Sequence, residues 1–138
     1  TARGKIVFDS ILSIGSRCLM PTEPLVMEVK EGYVTALLPS AHSEGVEQAL
    51  KQGEERARAM GKEDYARNTW GVGEVGLGLN PQAQLIPDML EAEKVGGTCH
   101  VAIGSNYDGD MQALTHYDML MTGPRIWVDG KPLPGYEA

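Results

Sequence analysis

The chain has 138 residues, 19 acidic against 12 basic, and a formal net charge of −7, with no cluster of Lys and Arg that could neutralise a phosphate backbone. Hydrophobic residues make up 42% and charged residues 22%, which excludes disordered and fibrous classes, and no apolar run approaches the roughly 20 residues of a membrane span. Nucleic acid and membrane are therefore not expected as partners, and the expected location is cytoplasmic. Cys18 and Cys99 form no C-x-x-C pair and are read as reduced, buried apolar residues.

In chain order, residues 5–12 are β-branched and aromatic and predict a strand, with Ser13-Ile14-Gly15-Ser16 as turn material. Residues 25–30 and 33–38 predict a hairpin about Glu31-Gly32, where glycine supplies the positive φ of a two-residue turn. Pro21 and Pro24 keep the segment before it extended. Residues 44–60 predict an amphipathic helix with Val46, Ala49, Leu50, Ala57 and Met60 on its apolar stripe and Glu44 and Glu47 in its first turn. Residues 65–70 read as a link.

Residues 70–79 alternate glycine with larger residues. With period two, Trp70, Val72, Glu74, Gly76 and Gly78 share one strand face, and Gly71, Gly73, Val75, Leu77 and Leu79 share the other. Residues 86–94 predict a short helix with Pro87 in its first turn, ended by Gly96-Gly97. A buried strand at 98–103, a polar loop through Asp110, an apolar segment at 114–121 and a closing hairpin about Asp129-Gly130 complete the chain. This order predicts an α+β fold: a mostly antiparallel or mixed sheet, one long amphipathic helix and short helices, in a single domain over 1–138. Because Thr1 leads directly into a strand, the expectation is a domain cut from a longer protein.

A metal site needs oxygen and nitrogen donors converging from separate elements, and the candidates are His100, His116, Asp118, Glu74 and Glu93. On an extended segment His116 and Asp118 project from one face, because positions i and i+2 align. The bland alternatives are a core histidine at His100, Glu74 paired with Arg67 or Lys94, and Glu91 and Glu93 on a solvated helix face. His42 fits no constellation and reads as surface.

The run His100-Val101-Ala102-Ile103-Gly104-Ser105-Asn106-Tyr107 resembles the signature of the aminopeptidase T and aminopeptidase S metallopeptidases, in which a ligand histidine precedes an A-[LI]-G run and a catalytic tyrosine. Gly73-Glu74-Val75 resembles the family's segment holding a ligand glutamate, Glu93 its second glutamate, and His116-Tyr117-Asp118-Met119 its closing ligand pair. The resemblance covers roughly residues 4–130. It implies the carboxy-terminal, metal-binding part of a metal-dependent aminopeptidase, with a mixed α/β fold and dimeric protomers.

In that family's terms Glu74, His100, His116 and Asp118 bind divalent metal (zinc, cobalt or manganese), Glu93 is the general base, Tyr107 stabilises the oxyanion, and the substrate is a peptide. Two ions about 3.5–4 Å apart would polarise the scissile carbonyl between them. The sequence departs from the family in three places. Glu93 lies seven residues before His100, with Gly96-Gly97 between them, and His116 follows His100 by 16 residues, a short interval. The family's first ligand glutamate falls upstream of the first strand, and Glu23 stands in a different strand context.

Two other readings use the same residues. His100, His116 and Asp118 form the two-histidine, one-carboxylate set of a mononuclear iron(II) enzyme, and the dihydroxypyridine ring-cleaving dioxygenases close with a similar H-x-D. The third reading is a non-catalytic domain retained for dimerisation or metal binding.

Overall fold

The structure is a computed structural model and describes residues 1–137. Its strands are β1 (Gly4–Phe8), β2 (Leu12–Ile14), β3 (Arg17–Leu19), β4 (Leu25–Lys30), β5 (Tyr33–Leu37), β6 (Val72–Leu77), β7 (Thr98–Gly104), β8 (His116–Thr122), β9 (Trp127–Val128) and β10 (Lys131–Pro132). The helices are α1 (Ser43–Ala59), α2 (Glu63–Asn68) and α3 (Met89–Ala92). The fold is α+β, and every strand pair is antiparallel. A five-stranded sheet runs β3-β2-β8-β7-β6, a three-stranded sheet runs β1-β4-β5, and β9 and β10 form a small hairpin. Among the described residues no helix is long and apolar enough to cross a membrane.

Both predicted hairpins form, and their turns carry positive φ at two successive residues, Glu31 and Gly32 in one and Asp129 and Gly130 in the other. That conformation matches the right-handed twist of the flanking strands. The predicted first strand is divided: β1 ends at Phe8, and Leu12–Ile14 forms a second strand hairpinned to Arg17–Leu19, so the turn shrinks to Gly15-Ser16. The expected link at 65–70 lies largely within α2, whose single buried residue, Ala66, is too little for a readable stripe. The short helix before β7 spans only Met89–Ala92, because the Asp88 side chain accepts from Leu90 N at 3.1 Å and caps it there, leaving Pro87 outside. His42, read as surface, stands at the N-cap of α1 and accepts from Thr22 N at 3.2 Å. Cys18 and Cys99 are both free thiols.

One apolar cluster joins Phe8, Leu12, Leu25, Met27, Val29 and Val34 to Val46 and Leu50 of α1 and to Val101, Ile103, Tyr117 and Met119 of the large sheet. It packs one face of β7 and β8. A smaller cluster of Ile11, Met89, Ala92 and Leu120 anchors α3 on the other face. Phe8 is fully buried, so Phe8→Ala is expected to lower the unfolding free energy by about 3–5 kcal/mol, read from the urea midpoint.

Candidate metal centre

The register of β6, β7 and β8 builds the site. In β7 and β8 the pairs His100↔Leu120, Ala102↔Asp118 and Gly104↔His116 lie directly opposite, and in β6 and β7 the pairs are Glu74↔Ala102 and Gly76↔His100. Directly paired residues project from one face, so Glu74, His100, His116 and Asp118 all rise on the face away from the main core. The side chain between Glu74 and Asp118 is only the methyl of the fully buried Ala102.

Period two alone assigns Val72 and Glu74 to the same face, and the structure corrects this. The register shifts between Val72 and Glu74, with Val72 opposite Ile103 and Glu74 opposite Ala102. Such a bulge reverses the alternation. It sits at Gly73, where a Cβ would lie 2.3 Å from the carbonyl oxygen of Gly104. Val72 thereby joins the core while Glu74 enters the site.

His100 Nε2 lies 3.1 Å from Glu74 Oε1 and 3.9 Å from Glu93 Oε2. His116 Nε2 lies 3.2 Å from Asp118 Oδ1 and 3.8 Å from Glu74 Oε2. Glu74, His100 and Asp118 offer ligand atoms all within 4.8 Å of one another. His116 Nδ1 donates to the Ser105 carbonyl at 2.5 Å, which turns Nε2 toward the carboxylates. Glu93 is within reach after all, because Met89 and Ala92 seat α3 on Ile11 and Leu120. Its other oxygen contacts the Lys94 ammonium. Glu74 pairs with histidines, and its ion pairs include neither Arg67 nor Lys94.

Tyr107 is 86% exposed, and its ring centre lies 5.1 Å from that of His116. Sequence reasoning passed over three supporting features: the Gly76 cradle beneath the His100 ring, the Ala102 methyl and the Ser105 carbonyl. The glycine alternation signals the first, but the residue that each glycine faces depends on register.

Donor chemistry fits a divalent cation. Two imidazoles and two or three carboxylates converge, and Asp118 Oδ1 is buried without a well-directed hydrogen bond, as is His100 Nδ1. An unpaired buried polar atom costs about 1–3 kcal/mol, and a cation beside Asp118 would relieve that oxygen.

The approach of Asp118 is the largest influence on His116 and, against the opposing effect of burial, pushes its pKa from 6.5 up to about 9, with the Ser105 carbonyl and Glu74 adding to the rise. A raised histidine pKa stabilises the fold fully below the unfolded value and loses that contribution as pH rises through the folded one. The metal-free protein is therefore expected to lose stability between about pH 6.5 and 9, seen as a falling urea midpoint. His116→Gln should flatten that segment of the profile.

No protein-family model matches the sequence, and no curated protein matches it significantly. Among solved structures, the chain is similar to 2,5-dihydroxypyridine dioxygenase from Pseudomonas putida KT2440, with a TM-score of 0.74 at 17% identity over 99% of this chain. At that identity the likeness shows the fold. The chain spans 40% of the length of that protein.

Proposed function

We propose that the chain is the metal-binding part of a mononuclear iron(II) ring-cleaving dioxygenase of the dihydroxypyridine type, with His100, His116 and Asp118 as ligands. The observation that carries this reading is the shared face of β7 and β8, on which His100, His116 and Asp118 rise around Ala102, with Glu74, His100 and Asp118 offering ligand atoms within 4.8 Å of one another. The fold likeness to a 2,5-dihydroxypyridine dioxygenase supports it further. Iron(II) held by such a set supplies open coordination positions for dioxygen and a chelating substrate.

The chain's own residues divide the remaining work. Ser105 fixes the His116 tautomer, and Glu74, with a partly exposed carboxylate between the two imidazoles, accepts a proton from an incoming ring hydroxyl. Ala102, with only a methyl between Glu74 and Asp118, keeps the floor low enough for a flat ring. Tyr107 presents an exposed aromatic face beside His116 against which such a ring can stack.

Anaerobic loading with iron(II), followed by metal analysis and oxygen-uptake assays with 2,5-dihydroxypyridine, tests the proposal. The expected result is one iron per chain and loss of the substrate's aromatic absorbance only when oxygen is present. Two tightly held equivalents of zinc, with release of amino-terminal residues from a peptide, would overturn it.

One observation favours a second reading, the aminopeptidase T or S type hydrolase. Glu74 approaches both histidines, at 3.1 and 3.8 Å, as a carboxylate bridging two ions would. In that case zinc, cobalt or manganese is the metal, Glu93 the general base, Tyr107 the oxyanion partner, a peptide the substrate, and a homodimer the assembly.

A further inference from the structure

Lys94 belongs to neither reading, yet it touches the centre. It follows Glu93, whose carboxylate is divided between two neighbours: one oxygen contacts the Lys94 ammonium and the other lies 3.9 Å from His100 Nε2. The Glu93 side chain is only 14% exposed, and a carboxylate so enclosed needs a compensating charge. Among the described residues, Lys94 is the only Lys or Arg that forms an ion pair with any carboxylate of the cluster. Its bond to Glu93 raises its pKa, and the charges of Glu74 and Asp118 add to that rise at longer range, so the ammonium lies within the field of all three carboxylates.

We infer that the Lys94 ammonium takes the place of a second metal ion, occupying Glu93 and limiting the centre to one divalent cation. This rests on the proposed metal centre. Three carboxylates are neutralised by one divalent ion together with one ammonium, both histidines being neutral when they ligate. A second divalent ion would leave excess positive charge in a confined site and would have to displace Lys94 from Glu93. Without the lysine, both Glu93 oxygens are free beside His100, and the cluster carries a surplus negative charge that a second ion can satisfy.

The test is the number of zinc equivalents retained after saturation with zinc ion and gel filtration, measured by mass spectrometry of the metal, with cobalt(II) absorbance as a second readout. The wild-type chain is expected to retain one equivalent, Lys94→Gln two, and Lys94→Arg one. Glu93→Gln combined with Lys94→Gln should return the count to one. Because the Lys94 side chain is 58% exposed, its replacement leaves the core untouched. A single equivalent in Lys94→Gln, or two in the wild type or the double variant, overturns the inference while leaving a metal centre in place. No retained metal in the wild type removes the proposed centre and the inference together.

Discussion

His116→Ala is expected to abolish stoichiometric metal retention and, in the metal-free protein, to lower stability at neutral pH. Loss of groups that merely orient a ligand costs about 10- to 100-fold in affinity, so loss of a ligand on the shared face should cost at least about 100-fold. The effect on stability follows from what remains. Glu74 and Asp118 both face the His116 imidazole, at 3.8 and 3.2 Å, and with its pKa near 9 that ring is a cation in the metal-free protein at pH 7. Removing it leaves two neighbouring carboxylates without the charge between them, one with an oxygen already short of a hydrogen bond. The deficit of the variant relative to the wild type should therefore be full at about pH 6 and shrink toward pH 9, as the wild type loses the contribution of the His116 charge. Isothermal titration with zinc ion, together with urea midpoints at about pH 6 and 9, separates the two effects. Unchanged metal affinity would remove His116 from the centre.

The parts of this centre that were legible in the sequence are those set by one strand. His116 and Asp118 share a face because the side-chain period of a strand is two, and the Glu31-Gly32 and Asp129-Gly130 turns announce their hairpins by composition. The long helix was legible from its stripe, since Val46, Leu50 and Ala57 are all buried. What sequence spacing missed depends on another segment. The bulge at Gly73 arises because a carbonyl from Gly104, at the end of β7, lies where a Cβ would stand, and nothing within β6 records it. Glu93 looked displaced by Gly96-Gly97, yet its position follows from Met89 and Ala92 meeting Ile11 and Leu120, contacts between segments far apart in the chain. Ser13 and Ile14 read as turn material because Ser13 and Gly15 flank Ile14, although the pairing of Leu12–Ile14 with Arg17–Leu19, and of Leu12 with Met119, makes them part of the large sheet.

Gly76→Ala sets two effects against each other, and their magnitudes decide the outcome. By backbone entropy alone, alanine in a strand interior should be better than glycine by roughly 0.5–1 kcal/mol. But Gly76 is paired with His100, and a Cβ there would lie 2.1 Å from the ring Cε1 and 2.3 Å from Nε2. The ring cannot simply lean away: His100 is 6% exposed, Glu74 lies 3.1 Å from its Nε2, and Glu93 closes in at 3.9 Å. Overpacking of this kind costs about 1–3 kcal/mol, so steric conflict wins and the variant is expected to be less stable than the parent. Its zinc affinity should fall at the same time, because the imidazole that moves is one of the proposed ligands. Combining Gly76→Ala with His100→Ala removes the conflict and should return the urea midpoint at least to that of His100→Ala alone, while zinc affinity stays low. If the double variant is no more stable than Gly76→Ala, the cost lies in the β6 backbone, and Gly76 is not the cradle on which the His100 imidazole rests.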